Sequence, residues 1–523
     1  MSLPAKKLPL SVPPSVFDGD AVHRTIDEAR SNDVVFALVG HAGAGATTVG
    51  KKLKDALEVH QYEVHFVKMS ELIADCVTRM NKELLPGLGP RKDIVRTRAL
   101  QDVGNWLRKH KGQAFTAGLA IRKIRELRDE AGKDGRKLVF IIDNLKNPTE
   151  VDALRKVYGR AFYLISVVCG PARRTERLMQ KYKGASPADI QSLMVRDEAE
   201  SDPAGQQVRK TIKSGDYFVN NEENFSKTKA SKLEDSIQRF TQIVLGVEMD
   251  TPNRDERGMY AAWTASLRSS CLSRQVGAAL LDSSGQLIAT GVNDVPKFGG
   301  GLYEEGDADN DHRCFTELDL VTQKGFCRND AEKQEILKQL VSSLKDAGML
   351  KDGVNEAAVV GALRATRIGD LIEFSRAVHA EMDAIVSVAR AGAGTTRGAT
   401  LYCTTYPCHN CARHIVAAGI RDVVYIEPYT KSLAVKLHSD AIEEATVAAN
   451  DGSTKVHFRL FNGVAPRRYA ALFERRGEAK DEQGVAITVA DALHKDPIFT
   501  RSHVDFETVI ADRVAREVGG DGS

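Results

Sequence analysis

The sequence predicts an α/β protein whose chain forms two successive halves, each built on a β-sheet with helices on both faces. In the first half, short apolar runs alternate with longer amphipathic segments, a pattern typical of a doubly wound parallel sheet. In the second half, a hairpin pattern precedes further strands and helices, which favours a three-layer α/β/α sandwich.

Composition and length are those of a folded protein with more than one domain. The chain has 523 residues, 42% hydrophobic and 28% charged, enough for about two to four domains. A net charge of +2 disfavours a nucleic-acid wrapper. The eight cysteines are too sparse for a disulfide scaffold, which predicts a reducing cytoplasm. Because no apolar run approaches the length of a membrane span, we expect a soluble protein without a membrane partner.

We divide the chain into four parts. Residues 1–30 are rich in proline and have little periodicity, so we interpret them as an N-terminal arm. Residues 31–248 form the first half and residues 252–475 the second. Residues 476–523 are charged and end in a glycine-rich run, so we expect a mobile tail or an oligomer arm there.

The first half contains the pattern of a phosphate-binding loop. A predicted strand at residues 34–39 leads into a glycine-rich loop and an amphipathic helix, so backbone N–H groups and a helix N-terminus can hold an anion. The pattern G-x-x-x-x-G-K-[ST] has Ala46 in place of its lysine. We therefore expect impaired phosphoryl transfer, while nucleotide binding can persist. The candidate phosphate-binding residues are Gly40, Gly43, Gly45, Thr47 and Thr48.

Two further features accompany this loop. The apolar run at residues 138–142 ends in Asp143, which would hold Mg²⁺ with a bound nucleotide; a turn residue at the end of a strand is the alternative. Arg173, Arg174 and Arg177 follow another predicted strand, where kinases of this kind carry a lid. A solvated helix face is an equally good explanation of these arginines.

The second half contains His-Ala-Glu at 379–381 and Pro-Cys-x-x-Cys at 407–411. Cys408 and Cys411 are three residues apart, so both thiolates can reach one ion from the first turn of a helix. His379 would complete three protein ligands and leave the fourth position open to water, as a catalytic Zn²⁺ requires. Glu381 is better placed to take a proton from that water. The alternative is a structural zinc site, which usually closes the fourth position with a further protein ligand, but no second CxxC is present.

Other residues are candidates for the substrate or for a second metal. A strand feeding a G-x-N-x-x-P loop places the amide of Asn293 at a sheet edge, within reach of a sugar hydroxyl; a turn asparagine is the alternative. Tyr429 follows a predicted strand and could stack on a base, or it is a rim aromatic. In an insertion at residues 299–369, a second metal site could use the donors His312, Cys314 and Cys327, although reduced cysteines in an ordinary core are commoner.

These motifs resemble those of known deaminases. With Arg274–Ala278 and Gly291–Asn293, the two zinc motifs are similar to those of deoxycytidylate deaminases. Together with a phosphate loop lacking its lysine, and with the stretches 143–151 and 463–469, residues 30 to about 475 resemble two-domain bacterial anti-phage dCTP/dCMP deaminases, which join a P-loop kinase-like domain to a cytidine-deaminase-like domain.

The resemblance implies that dCTP becomes dUTP and dCMP becomes dUMP, which depletes dCTP as an antiviral defence. It implies that His379, Cys408 and Cys411 hold zinc, that Glu381 shuttles a proton, and that Asn293 contacts the substrate. Arg274 belongs to the predicted substrate-binding set. A homo-oligomer is also implied, as is control by a nucleotide effector or an inhibitory RNA, with the first half as a regulatory or sensing module.

Two other functions fit parts of the sequence. One is a nucleoside or nucleotide kinase with a zinc-stabilised appendage, which Ala46 disfavours. The other is an RNA- or DNA-editing or binding module, which the near-neutral net charge disfavours.

Overall fold

The protein is described by a computed structural model. The residues that the structure describes are 30–80, 93–132, 137–222, 232–247, 250–316, 318, 324–351, 353–392, 394–427, 432–445, 448–450, 452–475, 480, 482–485 and 498–519. The predicted arm lies outside this set except for Arg30. Within the described ranges, no helix combines the length and the apolar character needed to cross a membrane.

The first half alternates strands and helices. Its strands are β1 (Arg30–Ser31), β2 (Val34–Gly40), β3 (Glu63–Lys68), β4 (Leu138–Leu145), β5 (Phe162–Val168) and β6 (Tyr217–Asn220). Its helices are α1 (Ala46–Glu58), α2 (Met69–Arg79), α3 (Ile94–Lys111), α4 (Phe115–Ala131), α5 (Pro148–Tyr158), α6 (Pro171–Lys181), α7 (Pro187–Glu198), α8 (Val208–Ile212) and α9 (Lys232–Leu245).

A parallel sheet in the order β6-β5-β2-β4-β3 forms the centre of this half. Every residue of β2 is buried, as expected for a central parallel strand covered on both faces. One face of the sheet packs in a cluster with α4 and α5, and the other packs with α1 and α9. The predicted doubly wound parallel sheet is therefore confirmed.

The second half also contains one large sheet. The strands of that sheet are β7 (Gly277–Leu281), β8 (Leu287–Val292), β9 (Thr400–Thr405), β10 (Asp422–Glu427), β11 (Ile442–Glu444) and β12 (Val456–Leu460). Two short strands follow it in the chain, β13 (Gly463–Val464) and, in the C-terminal segment, β14 (Ile498–Phe499). The helices of this half are α10 (Arg254–Ser266), α11 (Arg328–Asp346), α12 (Glu356–Arg364), α13 (Ala380–Ala391), α14 (His409–Ala417), α15 (Ala434–Leu437), α16 (Tyr469–Phe473) and α17 (Thr500–Gly519).

The sheet order in this half is β11-β12-β10-β9-β7-β8. Strands β9 to β12 run parallel, while β7 pairs antiparallel with β8 and β9 and forms the predicted hairpin. Helices α13 and α14 cover one face of this sheet, and α10 covers the other. The α/β/α sandwich is confirmed, with α11 and α12 inside the insertion that was predicted at residues 299–369.

The two halves share both a sheet and a core. β13 pairs antiparallel with β6, so a strand from the second half extends the sheet of the first. The buried carboxylate of Glu256 on α10 accepts hydrogen bonds from the N–H of Val464 and from the guanidinium of Arg239 on α9, at 2.8–2.9 Å. It also accepts from the N–H of Asn253 and so closes the helix cap. One side chain therefore ties the two halves together.

The C-terminal segment differs from the predicted tail. β14 pairs with β1, and α17 packs against α4 of the first half. The side chains of Val514 and Val518 are buried there, and the buried carboxylate of Glu507 pairs with Arg128. The sequence did not predict α17 because its amphipathic pattern lies within a highly charged stretch. The apolar side chains on one face of α17 pack against the first half, so this helix is part of the fold.

We expect Glu256→Ala to destabilise the whole protein, because Arg239 and the N–H of Val464 lose their buried partner. The expected loss in free energy of unfolding is about 3 kcal/mol or more. Urea denaturation followed by circular dichroism measures it. Asp235→Ala, which removes an exposed carboxylate from α9, serves as the matched control and should leave the urea midpoint unchanged. Equal midpoints for both variants would contradict this role of Glu256.

Candidate metal centre and substrate cavity

Two helix N-termini bring three metal-ligand side chains together. His379 is the N-cap residue of α13, Cys408 is the N-cap residue of α14, and Cys411 lies in the first turn of α14. His379 Nδ1 lies 3.2 Å from Cys411 Sγ and 3.4 Å from Cys408 Sγ. All three donor atoms lie within 4.8 Å of one another. One imidazole nitrogen and two sulfurs at this spacing form a donor set suited to Zn²⁺.

The position of His379 depends on a close approach of α13 to the sheet. A Cβ atom added to Gly291 of β8 would lie 2.1 Å from the carbonyl oxygen of Ala380 and 2.4 Å from the N–H nitrogen of Ala384. Only glycine therefore allows α13 to pack against β8 at this distance. Cys408 and Cys411 lie at the start of α14, which follows β9, the neighbour of β7 in the same sheet.

The pKa shifts within the cluster differ between its two sulfurs. Hydrogen bonds from the Cys411 thiol and from His379 lower the pKa of Cys408 to about 4. The hydrogen bond to Cys408 in turn raises the pKa of His379 to about 9. These directions favour a thiolate at Cys408, at the positive end of a helix dipole, beside a protonated imidazolium of His379. The hydrogen bond with Cys408 and burial raise the pKa of Cys411, so only one of the two sulfurs is favoured as a thiolate. A bound cation would take the place of the imidazolium proton.

Glu381 lies beside the cluster and is only 4% exposed. Burial raises the pKa of its carboxyl group, and the charge of His379 opposes this rise. A carboxyl group in these surroundings takes up and releases a proton closer to neutral pH than an exposed one does. Such a group is suited to proton transfer.

A cavity of about 210 Å³ opens onto His379, Glu381 and Cys408. Its wall includes three arginines, Arg274, Arg328 and Arg376. Arg328 begins α11 in the insertion, and Arg376 lies three residues before His379. The sequence did not predict either arginine, because no local pattern distinguishes them from the other charged residues of the insertion and of the segment that follows it. Guanidinium groups around a cavity of this kind suit a phosphorylated ligand.

The predicted substrate residues differ in their placement. Asn293 lines the cavity, but both ends of its amide hold the neighbouring loop: Oδ1 accepts from Val276 N at 2.6 Å, and Nδ2 donates to Arg274 O at 2.8 Å. Arg274 is half exposed, with its guanidinium 3.7 Å from Glu427. Tyr429 lies outside the described residues.

The predicted second metal site does not assemble. Among the described residues, the cluster around His379 is the only group of three or more His, Cys, Asp or Glu donors at metal-binding spacing. The ring of His312 packs edge-on against Tyr303, while Cys314 and Cys327 line the cavity. The three donors are therefore too dispersed to hold one ion.

The predicted phosphate-loop residues form a turn between β2 and α1. Gly43 and Gly45 have φ angles of 83° and 85°, in the left-handed region that favours glycine, and α1 begins directly after Gly45. The hydroxyl of Thr47 donates to Asp143 Oδ2 at 2.7 Å, so these two predicted residues meet. The loop starts at Gly40, and Thr48 N donates to Gly45 O in the first turn of α1.

Two of the three arginines predicted to belong to a lid, Arg174 and Arg177 on α6, donate hydrogen bonds to this loop. Arg174 Nε donates to Ala42 O at 3.0 Å, and Arg177 donates to Ala44 O at 3.3 Å. For these two residues, the solvated helix face does not describe the structure. Arg173 instead pairs with Glu176 on its own helix.

Comparisons with known proteins support a deaminase domain in the second half. Residues 252–427 match the model of the "Cytidine and deoxycytidylate deaminase zinc-binding region", which covers the hairpin, the insertion and all four zinc-motif residues. The chain is 28% identical over 171 residues to the deoxycytidylate deaminase of Enterobacteria phage T4, across 33% of this chain and 76% of the phage protein. It is 24% identical over 293 residues to the deoxycytidylate deaminase of Schizosaccharomyces pombe, across 55% of this chain and 70% of the yeast protein.

A solved structure is also similar in part. The dCMP deaminase of cyanophage S-TIM5, in complex with dCMP and dUMP, is 18% identical, with a TM-score of 0.23, across 40% of this chain and 99% of that structure. A TM-score of 0.23 does not support a fold assignment, so the α/β/α fold of the second half is assigned from its own strand order and helix packing.

We expect the metal to depend on the three clustered donors. Cys411→Ser and His379→Ala should each lose most of the zinc that the wild-type chain retains, about one ion per chain. Inductively coupled plasma mass spectrometry after dialysis measures the content. Cys271→Ser changes a thiol of the same cavity outside the cluster and should retain zinc. Full zinc in Cys411→Ser would contradict the assignment.

Proposed function

We propose that this protein is a zinc-dependent hydrolase that deaminates deoxycytidine nucleotides, converting dCMP to dUMP and dCTP to dUTP. The observation that carries the proposal is the arrangement of His379, Cys408 and Cys411 next to buried Glu381, in one cavity lined by arginines. The match of residues 252–427 to a cytidine and deoxycytidylate deaminase model supports the same reaction class.

In the proposed reaction, water replaces the amino group of the cytosine ring and ammonia leaves. His379, Cys408 and Cys411 would hold the zinc ion, whose contribution when bound would be to make a water molecule more acidic and so a better nucleophile. Glu381 takes one proton from the attacking water and delivers it to the ring nitrogen. It then takes the second proton, from the hydroxyl group formed on the ring carbon, and delivers it to the amino group, which leaves as ammonia while the carbonyl forms. Burial raises the pKa of the Glu381 carboxyl group, which suits it to accept and release a proton.

The arginines of the cavity account for a phosphorylated substrate. Arg274 lies on the loop that Asn293 holds, while Arg328 and Arg376 approach from the insertion and from the segment before α13. Because these guanidinium groups approach the cavity from three separate segments, we propose that they contact successive phosphates and that the cavity accepts dCTP as well as dCMP. Asn293 keeps this loop in place through both ends of its amide. A contact between Asn293 and the sugar is proposed on the resemblance alone.

We further propose that the first half acts as a regulatory module that binds a nucleotide with Mg²⁺ at Gly40–Thr47 and Asp143. The support is the pair formed by Thr47 and Asp143, because a hydroxyl and a carboxylate at 2.7 Å can share one Mg²⁺ ion. Depletion of dCTP during phage infection, a homo-oligomer and an inhibitory RNA partner belong to the same proposal, on the resemblance alone.

We expect Glu381→Gln to lower kcat for dCMP and dCTP by about 10²–10⁴-fold, since the amide cannot accept the proton of water. Release of ammonia and formation of deoxyuridine nucleotides, measured without ATP, follow the reaction. Zinc content should be unchanged. Glu373→Gln, an exposed residue in the segment before α13, is the matched control and should react at the wild-type rate. A fully active Glu381→Gln enzyme, or phosphate transfer in place of deamination, would refute the proposed reaction.

Arg328→Ala should raise KM for dCTP more than KM for dCMP, because the outer phosphates need the additional charge. Loss of a hydrogen bond to a charged group predicts an increase of about tenfold or more. Arg364→Ala, an exposed arginine of the same insertion, is the control. Equal effects of Arg328→Ala on both substrates would mean that Arg328 does not contact the outer phosphates.

A further inference from the structure

The phosphate loop lacks the lysine that normally neutralises a bound polyphosphate. Ala46 occupies that position, and its methyl group is buried in the apolar cluster between the sheet and α1. The loop therefore has a helix N-terminus and two left-handed glycines but no cation from its own motif. A polyphosphate bound here would need its charge balanced by another element.

Lys146 reaches this loop from the end of β4. Its Nζ donates to the carbonyl oxygen of Gly40, the first residue of the loop, at 3.2 Å. The same ammonium donates to Asp197 Oδ1 at 2.7 Å, while Asp197 Oδ2 accepts from the N–H of Ala42 at 2.7 Å. The buried carboxylate of Asp197 therefore bridges an ammonium group and a loop amide. Both of these donors are of the kind that bind phosphate oxygens in a phosphate loop.

A second, independent feature also indicates an anion. Arg174 is 5% exposed, and its Nε donates to Ala42 O. Its Nη2 atom is buried without a hydrogen-bond partner in the part of the chain that the structure describes. Leaving a charged donor unsatisfied in the interior is costly. A phosphate oxygen at the loop would satisfy it.

The surroundings of the loop are cationic. Burial lowers the pKa of His41 to about 3, and the charges of Arg174 and Lys146 add to this lowering against the opposing effect of Asp197. His41 is therefore neutral and does not supply the missing charge. Lys146 from the end of β4, and Arg174 and Arg177 from α6, are cations that donate hydrogen bonds to carbonyl groups of the loop.

We propose that Lys146 takes the place of the absent motif lysine and that the loop binds the polyphosphate of a nucleoside triphosphate with Mg²⁺. The incoming phosphate displaces the carboxylate of Asp197 from Lys146 and Ala42 and gains a contact with Arg174. Mg²⁺ binds between Thr47 and Asp143, which already meet. This inference rests on the proposed nucleotide-binding role of the first half and identifies the residue that makes binding possible without lysine at position 46.

Isothermal titration calorimetry of the full-length protein with Mg-ATP and with magnesium tripolyphosphate tests this inference. Lys146→Ala should weaken binding about tenfold or more, the effect of losing one hydrogen bond to a charged group. Lys156→Ala, an exposed lysine on α5, is the matched control. The inference is overturned if neither probe binds the wild-type protein, or if Lys146→Ala binds as tightly as wild type.

Asp197→Asn distinguishes a binding role of Lys146 from a structural one. If Asp197 competes with phosphate, this variant binds Mg-ATP more tightly than wild type. If Lys146 serves only to neutralise Asp197, the affinity of Asp197→Asn does not rise, and the inference fails. Thermal unfolding midpoints of each variant without ligand show whether the fold is retained. Deamination of dCMP, measured on the same samples, reports on the second half separately, so the outcome for Lys146 is distinct from the outcome for Glu381.

Discussion

The structure depends on a buried carboxylate that joins its two halves. Glu256 is 1% exposed and connects α9, the cap of α10 and β13 in a single set of hydrogen bonds. Because β13 completes the sheet of the first half, the chain does not separate into two independent domains joined by a flexible linker. Phe461 and Phe218 pack edge to face beside this joint, and a common apolar cluster runs through both halves. Removing one partner would leave the buried carboxylate or its donors without a hydrogen bond, which is why the contacts of Glu256 hold the two halves in one arrangement.

The phosphate loop and the metal-ligand cluster both lie near the interface between the two halves. A cavity of about 440 Å³ between the halves is lined by His41 and Arg174 on one side and by Tyr406 and Tyr425 on the other. Tyr406 also lines the cavity that contains Glu381. Since Tyr406 lies two residues before Cys408, a ligand near the phosphate loop would lie next to the segment that carries the metal ligands. This proximity gives the proposed regulatory role a physical basis.

Local sequence patterns predicted much of the fold and the centre of the site. The buried run before Gly40 became the central strand β2, and the hairpin became β7 and β8. Two predictions from sequence patterns were wrong. The charged C-terminal stretch contains a packed amphipathic helix, α17. The second predicted metal site rested on residue type alone. His312, Cys314 and Cys327 are good metal ligands by type, but their backbone positions keep them apart.

The sequence by itself determined the features whose parts lie within one helical turn or one loop. Cys408 and Cys411 are neighbours because a helix repeats every 3.6 residues, and Gly43 and Gly45 permit the turn of the phosphate loop. Only the tertiary structure decided which distant groups meet these elements. Lys146 reaches Gly40 from another strand, Arg328 reaches the Glu381 cavity from an insertion, and His379 meets the cysteines because Gly291 lets α13 approach the sheet. Such contacts follow from the order and packing of strands, which short-range spacing does not specify.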